Sequence, residues 1–256
     1  MMYSELELAA LIQQYVYPFT RIAGMFMVMP VLSSRLVTAR VRLILALVIS
    51  VLIAPMIPAF TPAPLFSLTA FLYLAYEFSI GLAVGFAFQV VFQVFVLSAQ
   101  FIAMKMGLGF ASMNDPSNGV QTTVLSQFFL MLTTLMFVAI DGHMILLTML
   151  LESFSTLPPM GFVPNTDWFW DIANLGSWLF SAALVLSLPV LTSLLVVNIA
   201  FGVMSRAAPQ LNIFAVGFPF TLLCGLFLIW IGLSGFAESF DQTMEYGFYF
   251  VERILK

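Results

Sequence analysis

Residues 107–119 read Gly-Leu-Gly-Phe-Ala-Ser-Met-Asn-Asp-Pro-Ser-Asn-Gly, a polar stretch between two long hydrophobic runs. Asp115-Pro116 predicts a turn, because the proline ring fixes its own φ and disfavours helical backbone at the residue before it. Gly107, Gly109 and Gly119 allow backbone conformations and close approaches that a side chain would prevent. The stretch is either a solvent loop between two membrane helices or a re-entrant, pore-lining segment, because irregular backbone at membrane depth needs protein or a water-filled cavity around it.

The composition of the whole chain indicates the class of fold. Of its 256 residues, 62% are hydrophobic and only 8% are charged, with a mean hydropathy of +1.09. Soluble domains carry about 25% charged residues. The hydrophobic runs are continuous, unlike the alternating segments of about ten residues in a membrane β-barrel. We therefore predict an all-α, polytopic membrane protein, and the net charge of −4 argues against a nucleic-acid surface.

The chain offers few groups for metal or disulfide chemistry. Cys224 is the single cysteine, which excludes an internal disulfide and any metal site built from several cysteines. His143 is the single histidine and has no further ligands at zinc-binding spacing. We predict no metal and no cofactor. We also expect no cleaved signal peptide, because Glu5 and Glu7 stand where a basic segment would be required.

Hydrophobic segments separated by polar or proline-rich breaks predict about six helices. The third segment is long for one crossing, since about 20 residues span a bilayer. The fourth is interrupted by Asp141-Gly142-His143. The tail that follows the sixth segment and runs to Lys256 alternates charged and aromatic residues, which indicates an interfacial helix. The six predicted segments are residues 15–32, 43–57, 65–104, 122–151, 172–201 and 213–236.

The basic residues predict an orientation. With six crossings they fall on one side, which should be cytoplasmic because Lys and Arg are enriched in cytoplasmic loops; the N-terminus then lies outside. The opposite connections, residues 58–64 and 152–171, contain no Lys or Arg. Arg253 and Lys256 are exceptions to this scheme. The residues on the basic side are Arg35, Arg40, Arg42, Lys105 and Arg206.

A ridge of small and polar residues runs along the third segment. Gly81-Leu-Ala-Val-Gly85 matches the GxxxG pattern that brings two helix backbones close together. The ridge is either a helix-packing surface or the polar wall of a water-filled conduit. In both cases Glu77 faces protein or water, because a carboxylate facing lipid is costly. The ridge residues are Glu77, Gly81, Gly85, Gln89, Gln93 and Gln100.

Asp141 and His143 place a carboxylate close to the single histidine of the chain. A proton relay is one interpretation, because a histidine beside a carboxylate can exchange protons inside a membrane. We favour the other interpretation, a buried polar turn in which the two side chains satisfy each other.

Gly232-Leu-Ser234-Gly235 is similar to the serine motif of rhomboid-type intramembrane proteases. Catalysis by Ser234 would need a general base beside it. In rhomboids the histidine follows the serine, whereas His143 lies far upstream. Small residues for helix packing explain the motif, and we predict that the chain is not an enzyme.

Several motifs spread over the chain carry a more specific family resemblance. The strongest is Arg206-Ala-Ala-Pro209-Gln210-Leu-Asn212-Ile-Phe, continuing to Gly217-Phe-Pro219. The others are Arg21-Ile-Ala-Gly24 leading to Pro30, residues 35–42, residues 81–85, Asp115-Pro116-Ser-Asn-Gly119 and Gly142-His143. On these residues the chain resembles, over nearly its whole length, the FliR family of flagellar type III export-gate subunits.

The resemblance implies a core subunit that joins FliP and FliQ in a hetero-oligomeric gate, together with FlhB and FlhA. Such a gate lies in the flagellar basal body of the bacterial inner membrane, and unfolded flagellar subunits leave the cytoplasm through it. The resemblance also implies two parts. Residues 1–157 would be FliP-like, with four hydrophobic helices and a polar loop at 105–121, and residues 158–256 would be a FliQ-like helical hairpin with a tail. Hydrophobic segments would then be buried against partner subunits as well as lipid.

Two sets of residues receive roles from this interpretation. The opening stretch is expected to plug the channel, with bulky side chains in the lumen, glycines that let the backbone bend, and polar side chains that satisfy the exposed backbone. A second polar break, residues 202–212, separates the fifth and sixth segments. It is expected to fix the angle between the last two helices and to contact a neighbouring subunit. The plug residues are Gly107, Gly109, Phe110, Met113, Asn114, Asp115, Pro116, Asn118 and Gly119, and the assembly turn is Arg206, Pro209, Gln210 and Asn212.

Two other functions stay open at this point. The equivalent subunit of a virulence injectisome would share these features, and the sequence separates the two systems poorly. An ion-coupled secondary transporter would use Glu77 or Asp141 to bind its coupling ion, although no internal repeat is evident.

Overall fold

The fold was analysed in a computed structural model of the chain. The structure describes residues 5–33, 37–57, 60, 62–64, 66–108, 123–159, 166–207 and 213–255. Within these ranges the regular elements are all helices, which confirms the predicted all-α class. In chain order they are α1 (Glu5–Val28), α2 (Ala39–Ile53), α3 (Leu68–Lys105), α4 (Val124–Ala139), α5 (Gly142–Thr156), α6 (Thr166–Ala207), α7 (Ile213–Gly232) and α8 (Phe236–Leu255).

Among the residues that the structure describes, four helical stretches are long and apolar enough to cross a membrane, which confirms a polytopic membrane protein. They are Ala39–Met56, Leu68–Lys105, Trp168–Ala207 and Gly217–Leu255, and α4 with α5 would form a fifth if this bent pair is one span. Helix α1, predicted as the first hydrophobic segment, is not among them. It begins at Glu5, ten residues before the predicted start.

The helices gather into two compact units. The first unit comprises Met1–Val90, Phe137–Leu175 and Tyr246–Lys256, and thus contains α1, α2 and α5, the beginnings of α3 and α6, and the ends of α4 and α8. The second comprises Val91–Met136 and Gly176–Glu245, and thus contains α7 with the remaining parts of α3, α4, α6 and α8. The predicted division at residue 157 stays a prediction.

Helix α3 extends over 38 residues, because residues 78–104 contain neither proline nor a charged side chain. Its end is set by Gly107, which adopts the left-handed conformation with φ of 87°. The amide of Leu108 donates to the carbonyl of Ala103, and the amide of Gly107 donates to that of Met104. These two bonds form a Schellman cap, in which the left-handed residue is usually glycine.

A sharp break separates α4 from α5, and the two helices are bent by 64°. Asp141 lies at the break with φ of 53°, a left-handed conformation that aspartate tolerates better than most residues. The predicted mutually satisfied, buried turn is wrong. Asp141 is exposed, and the buried Nδ1 atom of His143 has no hydrogen-bond partner in the part of the chain that the structure describes. Backbone geometry, rather than a side-chain network, explains this break.

The C-terminal tail forms α8, a helix of 20 residues. It is helical, as predicted, whereas its interfacial position stays a prediction. Most of its apolar side chains are buried in the protein, while acidic side chains on the opposite face are exposed. The buried residues are Phe236, Phe240, Met244, Phe250, Val251, Ile254 and Leu255.

Candidate functional site

Helix α1 buries a row of polar side chains in the first unit. Gln13, Tyr17 and Arg21 follow each other at i+4 spacing, so they share one face of the helix, and all three are buried. The apolar side chains of α1 divide between exposed positions at its beginning and buried ones, such as Ile22, Met25 and Phe26, towards its end. The buried polar face therefore needs partners inside the protein.

Arg21 and Glu77 form a fully buried ion pair between α1 and α3. The Nε atom of Arg21 lies 2.6 Å from the Oε2 atom of Glu77, and both side chains are 0% exposed. A carboxylate in such a position requires a cation or several donors, because burying an unpaired charge is very costly. The pair explains why Glu77 lies within an otherwise apolar helix.

The guanidinium of Arg21 has further partners near the end of α5. Its Nη1 atom donates to the hydroxyl of Ser153 at 2.8 Å, and its Nη2 atom donates to the carbonyl of Leu157 at 2.8 Å. The guanidinium also lies over the ring of Phe154, 4.0 Å from the centroid, in a cation–π contact. Arginine is suited to this site because its planar fork presents several donors in fixed directions.

Two polar atoms close to this pair are left over. The Oε1 atom of Glu77 and the hydroxyl of Tyr17 are buried, and neither has a hydrogen-bond partner among the described residues. The carboxylate is thus held through one of its two oxygen atoms.

Glycines bring the backbones of α1 and α3 into contact beside the ion pair. A Cβ atom at Gly81 would overlap the carbonyl oxygen of Arg21, and one at Gly85 would lie 2.6 Å from the carbonyl oxygen of Met25. In the opposite direction, a Cβ at Gly24 would lie 2.6 Å from the carbonyl oxygen of Phe78. The helices approach this closely because none of the three glycines carries a side chain.

Two glutamines of α1 hold the connection between α2 and α3. The amide of Gln13 pairs with the backbone of Ala63 in both directions, donating to its carbonyl at 2.7 Å and accepting from its N–H at 3.1 Å. Gln14 donates to the carbonyl of Ala54 at 3.1 Å. The ring of Tyr17 packs against Phe60, with 5.6 Å between centroids. Side chains of α1 thus satisfy backbone groups that lie outside regular helix.

The remaining glutamines of the ridge on α3 lie beyond this contact. Gln89, Gln93 and Gln100 are half-buried. The Oε1 atom of Gln89 is buried without a hydrogen-bond partner in the ranges that the structure covers. The ridge therefore begins with the ion pair and the close glycine contact and continues as half-buried amides.

The end of the chain joins the same part of the first unit. The hydroxyl of Thr156, in the last turn of α5, donates to the carbonyl of Leu255 at 2.6 Å. Arg253 pairs with Asp171 at 2.7 Å, and their side chains are 57% and 20% exposed. The C-terminal residues are thus fixed next to the turn whose carbonyl Arg21 binds.

In the second unit, the beginning of the polar stretch is packed against α7. A Cβ atom at Gly107 would overlap the ring of Phe218, and one at Gly225 would lie 2.5 Å from the side chain of Met106, which is fully buried. Gly107 therefore ends α3 and contacts α7. The other residues of the predicted plug, Gly109, Phe110, Met113, Asn114, Asp115, Pro116, Asn118 and Gly119, lie outside the described residues.

The predicted assembly turn is described only at its first residue. Arg206 is exposed in the last turn of α6. Pro209, Gln210 and Asn212 lie outside the described residues.

The described residues hold no group of three His, Cys, Asp or Glu side chains that could bind a metal ion. Ser234 is exposed, and its hydroxyl donates to the carbonyl of Ile231 at 2.8 Å. The buried polar groups of the first unit are instead engaged in positioning helices and turns.

The sequence prediction missed the partners that α1 provides. It placed Glu77 against protein or water, but it assigned no role to Arg21, Gln13 or Gln14. The i+4 spacing of Gln13, Tyr17 and Arg21 was a readable signal for one polar helix face. What could not be read was which segments this face contacts, because periodicity does not identify the neighbouring helix.

These observations define a helical membrane protein whose first unit is held by one buried ion pair. Residues 12–247 match the family described as bacterial export proteins, family 1. The flagellar biosynthetic protein FliR of Escherichia coli (strain K12) is 38% identical over 84% of this chain and 82% of its own length. The FliR protein of Pectobacterium carotovorum subsp. carotovorum is 36% identical over the same shares. That of Bacillus subtilis (strain 168) is 28% identical over 84% of each chain.

The chain belongs to the bacterial export proteins, family 1, and within it to the FliR family of flagellar biosynthetic proteins. It is accordingly a membrane protein of flagellum biogenesis and protein export.

Proposed function

We propose that this chain is a core subunit of the flagellar type III protein export gate. With FliP and FliQ it forms the channel through which unfolded flagellar subunits leave the cytoplasm, and FlhB and FlhA adjoin this gate. Its location is the bacterial inner membrane, within the flagellar basal body. Membership of the FliR family supports this proposal, as does the apolar surface that the chain leaves uncovered.

That apolar surface is the observation that carries the proposal. Within Trp168–Ala207, only 22% of an apolar stretch of 18 residues is buried in the protein. The buried share is also 22% for such a stretch within Gly217–Leu255, but it is 72% within Leu68–Lys105. Large side chains on α6 and α7 are more than half exposed, and exposed apolar area on this scale requires lipid or partner protein. They include Phe180, Val185, Val196, Ile199, Leu223, Phe227 and Trp230.

The same proposal gives roles to segments of the chain. Residues 1–157 correspond to a FliP-like part and residues 158–256 to a FliQ-like hairpin, so that the helices of each part lie beside their counterparts in neighbouring subunits. Residues 107–119 close the channel at rest. The turn at 206–212 sets the angle of the last two helices and contacts a neighbouring subunit.

The experiment that tests the proposal is co-expression. The chain is produced alone and together with FliP and FliQ, extracted in mild detergent, and examined by size-exclusion chromatography with light scattering. We expect low recovery or aggregation of the chain alone and a monodisperse complex when all three are present. FliP with FliQ, expressed without this chain, is the control. A stable monomer from the chain alone would count strongly against a gate subunit.

Motility separates the flagellar system from an injectisome. The chain is expressed in a flagellated strain that lacks its own FliR, and swimming is measured on soft agar. Restored swimming supports the flagellar assignment. A chain that reaches the membrane but restores no swimming would favour the injectisome subunit.

A further inference from the structure

Arg21 joins two other segments of the first unit, α3 and the end of α5, through one side chain. It pairs with Glu77 on α3 at 2.6 Å. It also donates to Ser153 on α5 and to the carbonyl of Leu157 just after that helix. The ring of Phe154 lies 4.0 Å from the guanidinium carbon. The position of α1 is therefore linked to α3 and to the end of α5 by directional contacts.

Net stability does not account for the pair by itself. Both side chains are 0% exposed, so two charges have been taken out of water. The desolvation penalty of such a pair offsets most of its attraction, and apolar side chains of similar volume often replace a buried pair without loss of stability. The other buried residues of this unit are mostly apolar, with polar exceptions such as Gln13 and Ser153. We therefore look for the role of the pair in the segments that it orients.

The pair lies beside the close contact between α1 and α3. These helices meet through Gly24, Gly81 and Gly85, where backbone lies against backbone. The glycines set how closely the two backbones approach, and Ile22, Met25 and Phe26 of α1 are also buried. A charge-assisted bond with a fixed geometry adds a directional constraint between the two helices, and the same guanidinium extends this constraint to the end of α5.

We propose that the Arg21–Glu77 pair is a positioning device that fixes the register of α1 on α3 and holds the turn after α5, and that protein export requires this arrangement. The part of this proposal that concerns export rests on the proposed function. The turn held by Arg21 is also the place where Thr156 binds the carbonyl of Leu255 at 2.6 Å. A slip of α1 would therefore release both the α5 turn and the C-terminal end of the chain.

The test uses the full chain, co-expressed with FliP and FliQ in cells that lack FliR. The variants are Arg21→Met, Glu77→Leu, the double variant Arg21→Met/Glu77→Leu, and Arg21→Lys. Three quantities are measured for each: abundance of the assembled complex, export of flagellar subunits, and hydrogen exchange at backbone amides 153–157. Arg40→Met is the matched control, because Arg40 is exposed at the beginning of α2.

Each single apolar variant leaves an unpaired buried charge, so we expect abundance to fall severalfold. The double variant removes both charges, and we expect abundance close to wild type. Its export per assembled complex is expected to fall severalfold relative to wild type, with faster exchange at amides 153–157.

Arg21→Lys keeps a positive charge beside Glu77 but loses the fork that reaches Ser153 and Leu157. We expect near-normal abundance for it, with the same faster exchange. The control should match wild type in all three measurements.

Two outcomes would overturn the proposal. A double variant with wild-type export and exchange would mean that the pair is replaceable packing. A double variant whose abundance stays as low as that of the single variants would mean that the pair is a net stabiliser. Failure of the wild-type chain to restore export would contradict the proposed function instead. The exchange at amides 153–157 in the double variant would then still decide whether the pair positions this turn.

Discussion

The backbone of Gly81 on α3 lies against the carbonyl oxygen of Arg21 on α1 so closely that a Cβ atom would overlap that oxygen. This contact involves backbone on one side, which cannot rotate away as a side chain would. The two helices can accommodate a larger residue at position 81 only by moving apart. The contact thus makes glycine at this position a requirement of the α1–α3 packing.

We expect Gly81→Ala to destabilise the protein by about 1–3 kcal/mol, the usual cost of overpacking a tight contact. The measurement is thermal unfolding of the purified complex. Gly176→Ala on α6 is the matched control, because nothing lies within 4 Å of a Cβ there. This control should be neutral or more stable by up to about 1 kcal/mol, since alanine favours helix over glycine. Equal effects of the two substitutions would show that α1 and α3 do not require the close approach.

A second prediction concerns the amide of Gln13. Gln13→Leu leaves both the N–H and the carbonyl of Ala63 without this partner in a buried position. We expect a loss of about 1–3 kcal/mol in the free energy of unfolding, because buried unsatisfied backbone groups carry their desolvation cost. Gln14→Leu is the comparison, since it removes one partly buried bond to Ala54, worth about 0.5–1.5 kcal/mol. A larger loss for Gln14→Leu than for Gln13→Leu would contradict this ranking.

A third prediction separates two reasons why residue 107 is glycine, its left-handed backbone conformation and its contact with Phe218. An alanine there would adopt a left-handed conformation, which costs about 1–2 kcal/mol, and its Cβ would overlap the ring of Phe218. Gly107→Ala should therefore destabilise the complex, and adding Phe218→Leu should restore only part of the loss. Gly202→Ala on α6 is the control, because nothing lies within 4 Å of a Cβ there. Thermal unfolding of the three variants measures their losses in stability. Full rescue by Phe218→Leu would mean that the backbone conformation at residue 107 carries no cost.

Helix class and several helix ends could be read from the sequence. Long apolar runs with little charge have one stable form in a bilayer, the helix, because only helices satisfy their backbone groups within the segment. Asp141-Gly142 marked a break because a left-handed residue interrupts a helix, although the expected bond between Asp141 and His143 does not form. Gly107 marked the end of α3 for the same reason. Local backbone chemistry was therefore sufficient for these features.

The partners across the first unit could not be read in this way. Arg21 and Glu77 are 56 residues apart in the chain, and Gln13 and Ala63 are 50 apart. Periodicity places Gln13, Arg21 and Glu77 on helix faces but does not say which segment lies opposite. The start of α1 was also missed by ten residues, because Gln13 and Gln14 lowered the apparent apolarity of a segment that buries these side chains.

A fourth prediction addresses the turn after α6. Proline at 209 prevents the helix from continuing, and Gln210 offers an amide that can bind backbone groups of a neighbouring segment. We expect Pro209→Leu/Gln210→Ala to reduce both assembly with FliP and FliQ and swimming motility, and to reduce them together. Ser205→Ala is the control, because the Ser205 hydroxyl donates to the carbonyl of Gly202 in its own helix. Normal assembly of the double variant would leave this segment as a plain connection.

The last prediction returns to residues 107–119. A conduit wide enough for an unfolded chain must be closed when idle, because each elementary charge that crosses 100 mV releases about 2.3 kcal/mol. Bulky apolar side chains close pores by excluding water. Phe110 and Met113 supply such side chains, while Asn114 and Asn118 carry amides that can satisfy the polar backbone of an irregular segment. The Schellman cap at Gly107 and its contact with Phe218 fix the point where this segment leaves α3.

Deleting residues 110–114 should therefore open the assembled complex to ions and small solutes. The deletion begins after the anchored residues, so α3 and its contact with α7 remain intact. The measurement is single-channel conductance of the complex in planar bilayers and small-solute uptake by cells, with complex abundance held equal.

Replacing the same five residues with a Gly-Ser segment of equal length is the control, because it keeps the span and removes the bulky side chains. If side-chain bulk closes the channel, the replacement leaks as the deletion does, whereas a tight replacement would show that loop length is what closes it. A deleted complex that assembles and stays as tight as wild type would place the barrier in another subunit.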